Sequence, residues 1–285
     1  MATPDALLRA YGREYDQIRR QLGLTTIRLW RQLGGPTEQN MERWLSAILP
    51  VVGGAERATV TLVSLYLDAL SSEWGITASP RVDPDRVLGA GLRAGTPPVE
   101  VYQRPIITVR SQLADGRSLA ESIRIGGTRA VATADTDVML AHRATAGDAF
   151  EALGFEYFRR VPTGKSCDLC LAASTQRYRT GNLMPIHGHC DCRVVPIYER
   201  NDPGQVINRQ LLEQRNVREA IDDRSRRRAN RPPETVERPG SNIDAGRRLL
   251  ESLGLSDVTV RQHGELGPML VDPTHHFTGP DDLAG

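Results

Sequence analysis

The sequence has almost no lysine and few aromatic residues. Lys165 is the only lysine among 36 basic residues, and phenylalanine, tryptophan and tyrosine together make up 5% of the 285 residues. Any mechanism that requires a lysine side chain must therefore use Lys165. We interpret the preference for arginine as codon bias in a GC-rich genome, so it carries no physical information about partners.

A large net charge and a long apolar run are also missing. The formal net charge of +1 excludes a general nucleic-acid binder, so any basic patch must be local. No run approaches about eighteen apolar residues, so we expect no membrane-spanning helix. Met1 to Arg20 has no basic stretch followed by an apolar one, so we expect no signal peptide and synthesis in a cytoplasm. In that compartment a close cluster of cysteines is typical of metal binding rather than of disulfides.

The first half of the chain has the periodicity of amphipathic helices. Apolar residues recur at steps of three and four from Leu8 to Leu29, which is typical of one face of a long helix. A second helix follows Thr37, and Pro50 with the Gly53–Gly54 pair is predicted to break or kink it. The sequence thus predicts a helical body over residues 1–150, with later helices at residues 55–74, 99–114, 118–125 and 128–149.

The pattern changes near Leu153, where aromatic and branched residues replace the helical repeat. Residues 155–161 and 193–198 predict two short strands, so residues 151–200 are predicted to form a small α+β module. Residues 201–256 predict a polar, arginine-rich helix and linker, and residues 257–285 an extended tail. The predicted fold class is mainly α, a long-helix bundle that carries the small module and the tail.

All four cysteines lie in that module. Cys167 and Cys170 form a Cys-x-x-Cys pair, and His187, Cys190 and Cys192 follow after a spacer. Zinc takes four thiolate or imidazole ligands in a tetrahedron. We predict a structural zinc bound by Cys167, Cys170 and His187, with either Cys190 or Cys192 as the fourth ligand. Candidate ligands outnumber the four positions, which favours a closed structural site over a catalytic one with an open position.

The predicted metal decides whether its own loop folds. Residues 163–192 are rich in glycine and polar side chains, so they cannot build a core of their own. Apparent zinc binding energies of about 10–16 kcal/mol are comparable with the stability of a whole domain, about 5–15 kcal/mol. His189 is expected to lie next to the ligands or at the surface rather than to bind the metal.

A basic run lies in the arginine-rich region. Arg224, Arg226, Arg227 and Arg228 are nearly contiguous, and acidic residues are interleaved with the arginines before them. Mixed charges favour a solvated helix face. The alternative interpretation is a contact with DNA phosphates or with an acidic partner.

The cysteine module resembles a known family. The segment FEYFRRVPTGKSCDLC, then YRTG, then MPIHGHCDCRVVPI is similar to the C-terminal motif of phage Mu F-like (MuF-like) minor head proteins. His187, Cys190 and Cys192 match the second part of that motif, His-x-x-Cys-x-Cys before an apolar strand. The tail RQHGELGPMLVDPTHHFTG resembles the tails of such proteins in actinobacterial phages. These two segments carry the resemblance, and the helical half agrees in style only.

The resemblance implies a structural protein of the virion. Such proteins are present in a few copies inside the capsid near the portal, and act in head morphogenesis or in DNA packaging and delivery. The implied partners are the portal protein, the major capsid or scaffold protein and further copies of the chain, with weak contact to packaged DNA and none to a membrane. The chain would reside in the host cytoplasm during assembly.

Two enzymatic alternatives stay open beside this non-enzymatic role. Relatives of this type include proteins described as capsid maturation proteases, but the sequence has no Gly-x-Ser-x-Gly or His-Glu-x-x-His motif. A Ser–Lys dyad would need Lys165, and a Ser–His pair would need one of His142, His263, His275 or His276. A zinc-stapled nuclease of the His-Asn-His type needs a further histidine and hard-metal ligands, whereas His187 and His189 lie inside the cysteine cluster.

Overall fold

The chain is mainly helical, as the sequence predicts. A computed structural model describes residues 3–78, 82–161, 174, 177–181 and 192–198, and the backbone of 259–263 and 267–271. These residues contain the helices α1 (Pro4–Arg31), α2 (Glu38–Glu73), α3 (Pro84–Gly89), α4 (Pro98–Ala114) and α5 (Leu119–Ala152).

Short strands follow the helices along the chain. They are β1 (Tyr157–Val161), β2 (Arg177–Arg179), β3 (Arg193–Ile197), β4 (Thr259–His263) and β5 (Gly267–Val271). β1 is the central strand of one sheet and pairs antiparallel with β2 and β3, while β4 pairs with β5. The chain divides into two compact units, one that contains α1–α5 and one that contains β1–β3. The predicted boundaries at residues 200 and 256 lie outside the described residues.

Three of the helices begin at a hydroxyl group. The side chains of Thr3, Thr37 and Ser118 each accept a hydrogen bond from the backbone N–H three residues later. These bonds satisfy one of the amide donors that the first turn of a helix leaves without a partner in the helix. The caps fix where α1, α2 and α5 start.

Aromatic rings hold α1 against α2 and α5. Tyr11 of α1 stacks on Tyr66 of α2 with ring centroids 4.4 Å apart, and Tyr15 lies 5.0 Å from His142 of α5. All four side chains are buried. Nearby, Arg19 donates two hydrogen bonds of 2.6 Å to the carboxylate of Asp135 on α5. α1 is therefore fixed to α5 by both apolar and charged contacts.

α2 runs through Pro50 and the following glycine pair without ending, so the predicted break is wrong. A proline inside a helix removes one backbone hydrogen bond and costs about 3 kcal/mol. Contacts on both sides of Pro50 oppose this cost. Trp44 meets the ring of Trp30 edge-on at 5.0 Å, and Tyr66 stacks on Tyr11. Tertiary packing therefore outweighs the local preference of the sequence.

α2 is also long and apolar enough, by length and composition, to cross a membrane. Only 28% of its most apolar window is buried. One such helix among the described residues is weak evidence of a membrane segment, because a core helix of a soluble protein meets the same criteria.

α5 is likewise one helix where the sequence predicted two. Gly126 and Gly127 lie at the predicted break, but they serve close packing instead. A β-carbon at Gly126 would lie 2.5 Å from Cγ2 of Val109 and 2.7 Å from Cζ2 of Trp30, and one at Gly127 would lie 2.8 Å from the Trp30 ring. The indole nitrogen of Trp30 donates to the carbonyl of Ile123 at 2.8 Å. The glycines let this ring lie directly against the backbone of α5.

We expect Gly126→Ala to lower the free energy of unfolding by about 1–3 kcal/mol, because overpacking outweighs the gain in helix propensity. Gly53→Ala in α2 is the matched control, since a β-carbon there has nothing within 4 Å. The control should raise stability by up to about 1 kcal/mol. Urea denaturation of both variants tests this, and equal stabilisation by the two substitutions would contradict the packing argument.

Candidate functional site

The two chain segments that carry the predicted metal ligands both join the three-stranded sheet at one end. Val161, the last residue of β1, pairs with Arg193, the first residue of β3. The chain that leads to Cys167 and Cys170 leaves the sheet at this end. The chain that carries His187 and Cys190 enters β3 at the same end. Antiparallel pairing therefore starts both halves from neighbouring backbone positions.

Cys192 is the one predicted ligand whose position is described. It directly precedes β3 and is buried, with 3% of its surface exposed. Nη1 of Arg160 on β1 donates to its sulfur at 3.7 Å, and the same guanidinium lies 5.1 Å from the centroid of the Tyr178 ring. Hydrogen bonds from the surroundings to ligand atoms orient metal ligands and tune the metal. A buried sulfur beside a cationic donor is chemically suited to a zinc thiolate.

The sheet around this sulfur is held by ring and backbone contacts. Phe158 stacks on Tyr178 with centroids 5.3 Å apart, and the two residues are direct partners across β1 and β2. On the other face of β1, Arg159 donates to the carbonyl of Ser174 at 3.1 Å. The strand β2 lies in the spacer of the cysteine motif, and three residues are too few to show a strand period in the sequence.

The other predicted site residues lie outside the described part of the chain. They are Cys167, Cys170, His187, Cys190, Arg224, Arg226, Arg227 and Arg228. Among the residues that are described, no group of three or more histidine, cysteine, aspartate or glutamate side chains could hold a metal ion. The zinc site, and the choice between Cys190 and Cys192, therefore stay predictions.

One candidate base of the protease alternative is a core residue. His142 is 2% exposed and packs against the rings of Tyr11 and Tyr15, with centroid distances of 6.0 Å and 5.0 Å. A general base must reach the proton of its substrate or nucleophile. The burial of His142 within α5 therefore argues against it as a surface catalytic histidine.

A buried charged cluster in the helical unit was not predicted from the sequence. Asp137 of α5 is 5% exposed, and its two carboxylate oxygens accept hydrogen bonds from Nε of Arg93 at 2.5 Å and from the hydroxyl of Tyr102 at 2.6 Å. Arg93 also donates to the carbonyl of Thr133 at 3.1 Å. Burial raises the pKa of the Tyr102 hydroxyl well above its usual value, and the charge of Asp137 raises it further. Tyr102 therefore stays a donor to the carboxylate at physiological pH.

Glu56 of α2 is the second acid in the electrostatic environment of this cluster. Burial raises the pKa of Glu56 to about 7, the charge of Asp137 raises it too, and Arg93 and Arg57 lower it. Asp135 and Asp137 are the only acidic residues of α5 between Glu121 and Asp148. These two charges in an alanine-rich stretch were the one signal in the sequence that could have indicated an ion pair inside the bundle.

We expect the contribution of Glu56 to the stability of the protein to fall as the pH rises from about 4.5 to above 7. In this window the folded chain keeps the proton of Glu56 while the unfolded chain, with a pKa near 4.5, loses it. Folding then takes up a proton, so a rise in pH opposes it. The full penalty, about 3–4 kcal/mol at about 1.4 kcal/mol per pKa unit, is present above pH 7.

Glu56→Gln should remove this pH dependence and gain stability over the wild type as the pH rises. Denaturation of both proteins across the pH range measures the difference. Glu42→Gln, an exposed position on the same helix, is the control. A stability difference between the wild type and Glu56→Gln that does not change with pH would show that Glu56 titrates normally.

Comparison with known proteins identifies a family for most of the chain. The sequence profile of the VG15 protein family matches residues 2–214. Searches of curated proteins and of solved structures find no match. The matched residues include the whole helical unit and the cysteine module, well over half of the 285 residues. The chain therefore belongs to the VG15 protein family, a family of viral proteins.

Proposed function

We propose that this viral protein is a structural minor head protein, similar to the MuF-like proteins, inside the phage head near the portal. The observation that supports the proposal best is the pairing of Val161 with Arg193, which starts both halves of the cysteine and histidine motif from one end of a sheet. Membership of a viral family agrees with a component of the virion. The chain acts in head morphogenesis or in DNA packaging and delivery.

The proposed zinc closes the module in which the motif lies. Cys167, Cys170 and His187, with Cys190 or Cys192, would bind it. The metal supplies no reaction and instead joins two loops that have too few apolar residues to pack by themselves. Arg160 would support the thiolate of Cys192, whether that sulfur binds the ion or lies next to it.

The helical unit supplies surfaces for other head proteins in this proposal. Several large apolar side chains on four of its helices are exposed, and they are Leu24, Ile27, Leu65, Val99, Ile107 and Leu119. The partners that we propose are the portal protein, the major capsid or scaffold protein and further copies of the chain. Assembly contacts of this kind need apolar area and shape rather than a catalytic pocket.

We expect the purified protein to contain about one zinc per chain, as one tetrahedral site requires. Elemental mass spectrometry measures the metal, and Cys170→Ser should lose it. His189→Ala is the matched control within the same loop and should keep it. Comparison of Cys190→Ser with Cys192→Ser assigns the fourth ligand, because only the true ligand should be required for binding. A folded, reduced wild-type protein without metal would refute the zinc site.

The location of the protein is tested in assembled heads. Phage particles that carry Cys170→Ser should incorporate less of the protein than wild-type particles, because the module would not fold. Immunoblots of purified heads measure the amount, and His189→Ala should behave like the wild type. Absence of the wild-type protein from purified heads would refute the structural role. Uncleaved capsid protein in heads that lack the chain would instead favour the maturation protease.

A further inference from the structure

We propose that the outer face of α1 binds the phosphate backbone of duplex DNA. This arginine face consists of Arg9, Arg13, Arg20, Arg28 and Arg31, all of which are exposed. It is separate in sequence from the run at residues 224–228, which lies beyond the residues that match the VG15 family. The arginine face lies within the match.

Helix geometry aligns the five guanidinium groups. At 3.6 residues per turn the five positions fall within an arc of about 100°, and at 1.5 Å per residue they extend over about 33 Å. The acidic residues of α1, Asp5, Glu14 and Asp16, fall outside this arc on the same helical wheel. The face is therefore a strip of five arginines, with Leu24 and Ile27 inside the same arc, and it is about as long as one turn of B-DNA, roughly 34 Å.

The arginines of this face differ from three other exposed arginines of the helical unit. None of the five forms an ion pair with a residue that the structure describes. In contrast, Arg57 pairs with Asp85 at 2.6 Å, Arg86 with Asp148 at 2.7 Å and Arg117 with Glu121 at 2.9 Å, in each case between exposed side chains. Among the residues that the structure describes, no ion pair neutralises the positive charge of the α1 face, whereas ion pairs neutralise Arg57, Arg86 and Arg117.

A polyanion fits this surface by charge and by length. Each arginine that contacts a phosphate releases condensed counterions from the duplex, which drives binding at low salt. Leu24 and Ile27 are also exposed between the arginines, at 54% and 38%, and apolar residues with a polar rim are typical of a protein interface. Leu24 and Ile27 lie towards the C-terminal end of the face, whereas its arginines extend to Arg9. We therefore favour a DNA duplex over a protein as the partner of this face. The choice of DNA rests in part on the proposed function, since a protein inside a filled head meets packaged duplex.

The test uses the purified full chain and a labelled DNA duplex about three helical turns long. Fluorescence anisotropy measures the Kd over a range of salt concentrations. The combined variant Arg20→Gln, Arg28→Gln and Arg31→Gln should weaken binding by at least about tenfold. It should also reduce the slope of log K against log salt by about 2.7, since each contact contributes about 0.9.

The matched control removes three positive charges elsewhere on the same unit. Arg57→Gln, Arg86→Gln and Arg117→Gln each break an exposed ion pair, and such pairs contribute little to stability. This control should bind DNA as the wild type does. Equal weakening in both variants would mean that only net charge matters, and would overturn the assignment to α1.

Two further outcomes would also overturn the proposal. In the first, a variant at Arg224, Arg226, Arg227 and Arg228 loses DNA binding while the α1 variant keeps it. That result would assign DNA binding to the run at residues 224–228. Polyglutamate that competes as well as unlabelled duplex of equal charge would assign the face to an acidic protein. Head incorporation is measured in a separate experiment. Failure of DNA binding would therefore overturn the assignment to α1 without bearing on the proposed function.

Discussion

The carboxylate of Asp137 imposes the strictest requirement on the helical unit. A charge buried in α5 must be neutralised and hydrogen-bonded, and removal of one partner from such a pair costs about 3–5 kcal/mol. Arg93 reaches it from the connection between α3 and α4, and Tyr102 from α4. That connection turns through left-handed backbone at Ala94, with φ of 48°, a conformation that costs a non-glycine residue about 1–3 kcal/mol. The carbonyl of Tyr102 also accepts a hydrogen bond from Trp44 of α2, so one buried charge links the positions of three helices and a loop.

Trp30 imposes a second requirement, of shape rather than charge. Its ring occupies the space that side chains at Gly126 and Gly127 would fill, and its nitrogen donates to the carbonyl of Ile123. The same ring meets Trp44 edge-on, so the end of α1 is fixed against α2 and α5 together. Generic apolar burial would allow these helices to slide, whereas a ring that fits a glycine pair defines one register.

Local patterns predicted the long helices and the strands β1 and β3, but not α3, β2, β4 or β5, and long-range contacts decided where the long helices end. The buried positions Leu8, Tyr11, Tyr15 and Leu22 of α1 follow the helical stripe in the sequence, and β1 and β3 follow from clustered aromatic and branched residues. The failures at Pro50 and Gly126 have one cause. Both residues are helix breakers by propensity, and the rings that override this, Tyr11 on Tyr66 and Trp30 on the glycine pair, come from distant segments. The Arg93–Asp137 pair joins residues 44 positions apart, which no periodicity reveals. In the cysteine motif the residue types predict the metal, but the spacing admits both Cys190 and Cys192 because it does not fix the turn between them.

A protein of net charge +1 can bind DNA only through a local field. Charges further apart than about 8–10 Å are screened at ordinary ionic strength, so a duplex along α1 would interact with the arginine face and little else. The same screening would make the contact weak and reversible. Because phosphates carry no base information, the contact would also have no sequence preference. Such a contact is populated where duplex is concentrated and is lost where it is dilute. That behaviour would suit the structural head protein that we propose, because a weak contact can be released when DNA leaves the head, whereas a tight sequence-specific site would oppose delivery.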